Sequence, residues 1–227
     1  MTNFRILKSS GEFRSWRPFL ETWHELNERC INHTDGLYAP FCYRERTNVG
    51  VLSASAVRHD WVALEEYQTK KNVLGERLQY NGRADLFLIH KTRTKKVLFE
   101  VEAKLIRKNV GIECGEQHKK ILLRAQKAAE QSCPNNDHDY VEHKVALAFI
   151  VPFIVSSKKA TTQNFEEFEQ NTNLRALIQE ISNTEPELLA YSFVDKGCEL
   201  LVGETQKPKY GFGIIMVANI VKTYSRC

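Results

Sequence analysis

Val97-Leu98-Phe99-Glu100-Val101-Glu102-Ala103-Lys104-Leu105-Ile106 is the stretch that decides the fold. Val97, Phe99, Val101, Ala103 and Leu105 alternate with Leu98, Glu100, Glu102, Lys104 and Ile106. Successive strand side chains point to opposite faces, so this period of two predicts a strand with one apolar face. Just upstream, Arg83-Ala-Asp-Leu-Phe-Leu-Ile-His90 is a second strand-like run. The segment from Lys91 to Lys96 between them is short, polar and basic, which makes the pair an antiparallel hairpin.

Working outward, residues 115–132 place Ile121, Leu122, Ala125 and Ala129 on one helical face. Val145 to Val155 is almost wholly apolar, as a central strand covered on both sides must be. A helix is predicted over 165–182. Strands are predicted over Leu188 to Val194 and Phe212 to Val221, separated by Gly203 and the Lys207-Pro208-Lys209 turn. Before the hairpin, Trp16, Leu20, Trp23, Leu26 and Cys30 recur at helical steps, with Pro18 suited to the first turn and a turn cluster from Asn32 to Gly36. Val57, Trp61 and Leu64 predict a second helix from about Ser53 to Lys71, capped by Ser53 or Ser55. This order predicts an α/β fold: a mixed central β-sheet flanked by helices on both faces. Residues 1–50 are expected as an N-terminal helical extension and 51–227 as the α/β domain; a single compact domain would use the same elements.

The 227 residues are 42% hydrophobic and 26% charged, ordinary values for a globular protein that exclude collagen-like and disordered chains. A net charge of +4 permits a nucleic-acid partner without requiring one. It is locally concentrated, because Lys91 to Lys108 contains seven basic residues against only Glu100 and Glu102. The longest apolar run, Val145 to Val155, is interrupted by Pro152 and is too short to span a bilayer, and the first residues lack a leader pattern. Six scattered cysteines form no C-x2-C pair, so the expectation is reduced thiols, a cytoplasmic location and no membrane partner. Cys133, His138 and His143 lie close in sequence but match no standard zinc spacing. There is no phosphate-binding G-x-x-x-x-G-K-[ST] loop and no G-x-S-x-G elbow.

The chemistry concentrates on the hairpin. Asp85 sits in its first strand, Glu102 and Lys104 share one face of its second, and Glu65 and Glu66 lie upstream. Carboxylates bind hard divalent cations, which polarise phosphates and acidify bound water, and a neighbouring lysine stabilises developing charge. Glu100 shares the face of Glu102 and is expected to be a non-catalytic carboxylate.

Asp85 followed by Glu102-Ala103-Lys104, between a helix and a helix–strand unit, resembles the PD-(D/E)xK, or restriction-endonuclease-like, nuclease superfamily. The likeness runs from about Ser53 to Val155. Ala84 stands where that family often has proline, and Ile121 where one branch, matched at Gln117, has tyrosine. The resemblance implies a metal-dependent nuclease acting on DNA, with Mg2+ as cofactor and Mn2+ as a substitute. Asp85 and Glu102 would bind metal, with the Ala103 carbonyl completing the shell, and Lys104 would position the attacking water. Glu65, preferred over Glu66, would be the helix carboxylate. A homodimer is compatible with such an enzyme. Lys91, Arg93, Lys95, Lys96, Arg107, Lys108, Lys119 and Lys120 would ring the site and contact phosphates. Trp16, Trp23 and Trp61 are expected in the core rather than as stacking platforms. Two rivals stand beside this: a catalytically inactive nucleic-acid-binding or assembly module of the same fold, and an unrelated α/β protein.

Overall fold

Alternating and continuous apolar runs are gathered into one seven-stranded mixed sheet. The structure, a computed structural model, describes residues 3–72, 79–91, 93–111, 117–131, 140–155, 162–200 and 208–221. In chain order these form β1 (Phe4–Ser9), α1 (Arg17–His33), α2 (Glu45–Val57), β2 (Val62–Asn72), β3 (Gln79–Lys91), β4 (Lys96–Asn109), α3 (Gln117–Glu130), β5 (Tyr140–Val155), α4 (Thr162–Glu169), α5 (Thr172–Ser182), β6 (Leu188–Leu200) and β7 (Lys209–Val221), with 3-10 turns at Gly11–Trp16 and Pro40–Cys42. The strand order is β1-β6-β7-β5-β4-β3-β2. Among the described strands only β4 and β5 run parallel, joined across α3, as a parallel neighbour requires.

The predicted hairpin is β3–β4, paired antiparallel from Lys91↔Lys96 to Leu86↔Val101. The odd-numbered face of β4 behaves as expected: Val97, Phe99, Val101 and Ala103 join the core under α1 and α2, together with Val145, Leu147 and Phe149 of β5. The other face is covered by α3, α4 and α5, with Phe168, Leu174 and Leu177 packed near Ile150, Ile215 and Val217, and Ala125 and Ala129 against Ala146. Trp16 and Trp23 are fully buried beside Phe13, Phe19 and Phe99, which places them in the core. The described cysteines Cys30, Cys42 and Cys198 are free thiols. Cys133, His138, Gly203 and Lys207 lie outside the described residues. Among the described residues no helix is long and apolar enough to cross a membrane.

The structure corrects three expectations. The helix expected from Ser53 to Lys71 is two elements: α2 ends at Val57, Asp60 takes a left-handed φ of 61°, and the chain continues as the edge strand β2. Val57 and Leu64 are consequently exposed, and only Trp61 of the supposed stripe is buried. The helix expected over 165–182 is α4 and α5, separated at Gln170–Asn171, where the Asn171 side chain accepts from the Leu174 N–H and caps α5. The first fifty residues are not only helical. They begin with β1, which pairs with β6, and their aromatic residues share the core of the rest of the chain.

Three histidines pack against this core, and burial lowers the pKa of each. His24 lies flat on Phe4 and contacts Ser192 Oγ through Nδ1 at 2.9 Å. His90 stacks on Trp61 at 4.4 Å, and His143 lies against Phe99. A depressed folded-state pKa means that the unfolded chain binds protons more readily. The contribution of these rings is therefore complete above the ordinary histidine value of 6.5 and is lost as pH falls through the lowered values. The melting temperature is expected to be level above about pH 7 and to fall below about pH 6.5. Thermal melts across that range check this; a melting temperature that rises on acidification contradicts it.

Candidate active site

The site forms where β3 and β4 part. Their pairing stops at Leu86↔Val101, and beyond it β3 keeps only β2 as partner. The carboxylate of Asp85 turns into the opening and accepts the Ala103 N–H at 2.8 Å. Across from it is Glu45, in the first turn of α2. Its Oε2 accepts the Leu105 N–H at 2.9 Å. Lys104 extends between the two, with its ammonium 3.6 Å from Glu45 Oε1 and 3.6 Å from Asp85 Oδ2, and donates to the Ala103 carbonyl. Three oxygens from three elements thus converge on one cation. Burial raises the pKa of Glu45, with the Asp85 charge adding to the rise and Lys104 opposing it.

Glu65 and Glu66 line the same pocket with Glu45, Arg46, Val49 and Asp85. They reach it from β2, which corrects the expectation of a helix glutamate at 65 or 66; the helix carboxylate is Glu45. The carboxylate of Glu65 comes within 4 Å of where a Cβ on Gly50 of α2 would stand. Glu66 falls in the gap between the pairs Glu65↔Leu86 and Tyr67↔Ala84, in a left-handed conformation with φ of 53°. It is held by Arg83 at 3.2 Å and faces Arg46 at 4.0 Å. A positive φ is costly for a residue other than glycine and is concentrated at functional positions.

Glu102 is placed differently. It is buried on the face of β4 away from α2 and forms an ion pair with Lys71 of β2. Lys71 reaches across β3 over Gly82, where an added Cβ would stand 2.6 Å from the lysine stem. Burial raises the pKa of Glu102, Lys71 opposes the rise, and the charges of Asp85 and Lys104 are also felt. Glu100 is likewise internal, paired with Lys144, which also binds Glu142. The structure therefore brings Asp85, Lys104, Ala103 and Glu65 together with the unforeseen Glu45. It does not bring Glu102 into that pocket.

The donor set suits a hard cation. Every candidate ligand is oxygen, and Mg2+ is commonly held by one or two carboxylates, waters and substrate phosphate. Among the described residues, no group of three or more His, Cys, Asp and Glu side chains is close enough to enclose an ion by itself.

The basic residues do not form the expected ring. Lys91, Arg93, Lys95 and Lys96 are exposed at the far tip of the hairpin. Lys91 lies six residue steps along the strand from Asp85, about 20 Å at the usual strand rise. Lys95 is instead paired with Glu12 at 3.1 Å. Lys108 is buried. Lys119 and Lys120 are exposed on α3, which packs on the opposite side of the sheet from α2. Arg107 alone adjoins the site. Its guanidinium donates to the carbonyls of Cys42 at 2.8 Å and Tyr43 at 3.1 Å. It lines a second pocket with Tyr43, Arg44, Arg46 and Thr47. Arg46 borders both pockets. Comparison with protein-family models, curated proteins and solved structures found no match in any of the three.

Proposed function

We propose that this chain is a metal-dependent nuclease of the PD-(D/E)xK kind, hydrolysing phosphodiester bonds in DNA with Mg2+, for which Mn2+ can substitute. The supporting observation is the convergence of Glu45, Asp85 and the Ala103 carbonyl on Lys104 at the parting of two strands. In this reading Glu45, Asp85 and the Ala103 carbonyl would hold the cation together with water and substrate phosphate, and Glu65 lies beside them in the pocket. The bound cation would neutralise phosphate charge and acidify a water molecule. Lys104 orients the attacking water and offers its ammonium to the charge that develops on the phosphate oxygens. Asp85, by accepting the Ala103 N–H, also fixes the backbone that presents the carbonyl. Glu102, tied to Lys71, secures β4 from beneath.

One observation favours the second reading, an inactive binding or assembly module: Glu102, the central carboxylate of the motif, is already neutralised by Lys71. A cleavage assay separates the two. Supercoiled, linear and single-stranded DNA, and RNA, are incubated with Mg2+, with Mn2+ and with EDTA. Metal-dependent cleavage of DNA that EDTA stops is the expected result. If no substrate is cut and neither cation binds in a titration, the nuclease reading fails.

A further inference from the structure

We infer that the arginine pocket at the start of α2 is the entry groove for a single unpaired nucleic-acid strand, so that the substrate of the proposed site is single-stranded at the point of attack. This rests on the nuclease reading for the fate of the strand, but its binding step stands apart from cleavage. The pocket holds about 500 Å³, within the range of a site for one small ligand group. Three guanidinium-bearing residues, Arg44, Arg46 and Arg107, line it with the Thr47 hydroxyl. Guanidinium forks match phosphate oxygens, and the carbonyls of Cys42 and Tyr43 fix the Arg107 fork in place.

The aromatic wall distinguishes one strand from two. Tyr43 lines the pocket, and Tyr38 stacks beside it with ring centroids 6.3 Å apart. Tyr38 is 54% exposed. Tyr43 is half-buried behind it, and an exposed ring beside arginines is how proteins hold unpaired bases, because every base has a face to stack and a duplex hides it. Arg46 also borders the carboxylate pocket, so a strand seated here leads its next phosphate toward Glu45, Asp85 and Lys104.

The test is fluorescence anisotropy with the full chain in EDTA, using a labelled twelve-nucleotide single strand and the corresponding duplex. The single strand is expected to bind at least about tenfold more tightly than the duplex. Tyr38→Ala is expected to weaken single-strand binding about tenfold with no change in salt dependence. Arg44→Gln with Arg46→Gln is expected to weaken it and to lower the slope of log K against log salt by about 1.4. Circular dichroism melts of each variant exclude unfolding as the cause. Equal affinity for strand and duplex, no binding by the parent chain, or variants that bind like the parent would each overturn the inference. Binding that follows these residues without any metal-dependent cleavage leaves the groove standing and removes the nuclease reading. Cleavage with unchanged binding in the variants does the reverse.

Discussion

Asp85→Asn is expected to lower Mg2+-dependent cleavage by about a hundred- to a thousandfold, the usual loss when one electrostatic partner of a reacting phosphate or acyl group is removed. Its melting temperature should move by no more than about 2 °C, since less than about 1 kcal/mol is at stake. The contrast follows from the two tasks of this side chain. Its Oδ2 accepts the Ala103 N–H, which an asparagine carbonyl oxygen can still do. Its charge, 3.6 Å from the Lys104 ammonium, is what asparagine lacks. Lys104→Met should reach a similar loss of cleavage, because it removes the cation that Glu45 and Asp85 share. Parent-level cleavage by either well-folded variant would remove that residue from the chemistry.

Lys144→Met is expected to destabilise the fold by about 3–5 kcal/mol, the range for leaving a buried charge without its partner. At about 2–4 °C per kcal/mol for a chain of this size, the melting temperature should fall by about 6–20 °C. Lys144 is 3% exposed and serves two acids, Glu100 and Glu142, in the middle of the sheet. Removing the lysine leaves the Glu100 carboxylate buried without its ammonium, while Glu142 lies nearer the surface with 12% of its side chain exposed. Adding Glu100→Gln to Lys144→Met should recover part of the loss, since the deepest uncompensated charge is gone. A melting temperature within about 2 °C of the parent would mean that water already reaches this pair.

Most of the sheet was legible because its strands carry one alternating apolar face, as Val97 to Leu105 of β4 do, or a long apolar run, as Val145 to Val155 of β5 does. The α2–β2 boundary was not. Val57, Trp61 and Leu64 have helical spacing by coincidence, while the buried face of α2 mixes the apolar Val49, Leu52 and Ala56 with the polar Asn48, Ser53 and Ser55, which blurs its stripe. With that helix misplaced by about a turn or more, Glu45 fell outside the residues considered for the site. The preference of Asp and Glu for first helical turns was the one signal that could have drawn attention to it. The partner of Glu102 was hidden for a related reason. Lys71 can cross to β4 only if residues 62–72 are a strand and Gly82 leaves room over β3. Asp85 and Lys104 were accessible from sequence because both sit on the hairpin, whose register follows from local alternation alone.

The pairing of β1 with β6 has a consequence for how the chain comes into being. Phe4 lies against Ser192, so β1 waits for a strand made long after it. At bacterial-to-eukaryotic synthesis rates of about 5–20 residues per second, that wait is about 10–40 s. Throughout it, α1 carries Phe19, Leu20 and Trp23, which the finished core buries, through the growing chain. The hairpin β3–β4 can close early, whereas the edge that completes the sheet cannot, so the segment bearing β1 and α1 is the one that most needs protection from premature association.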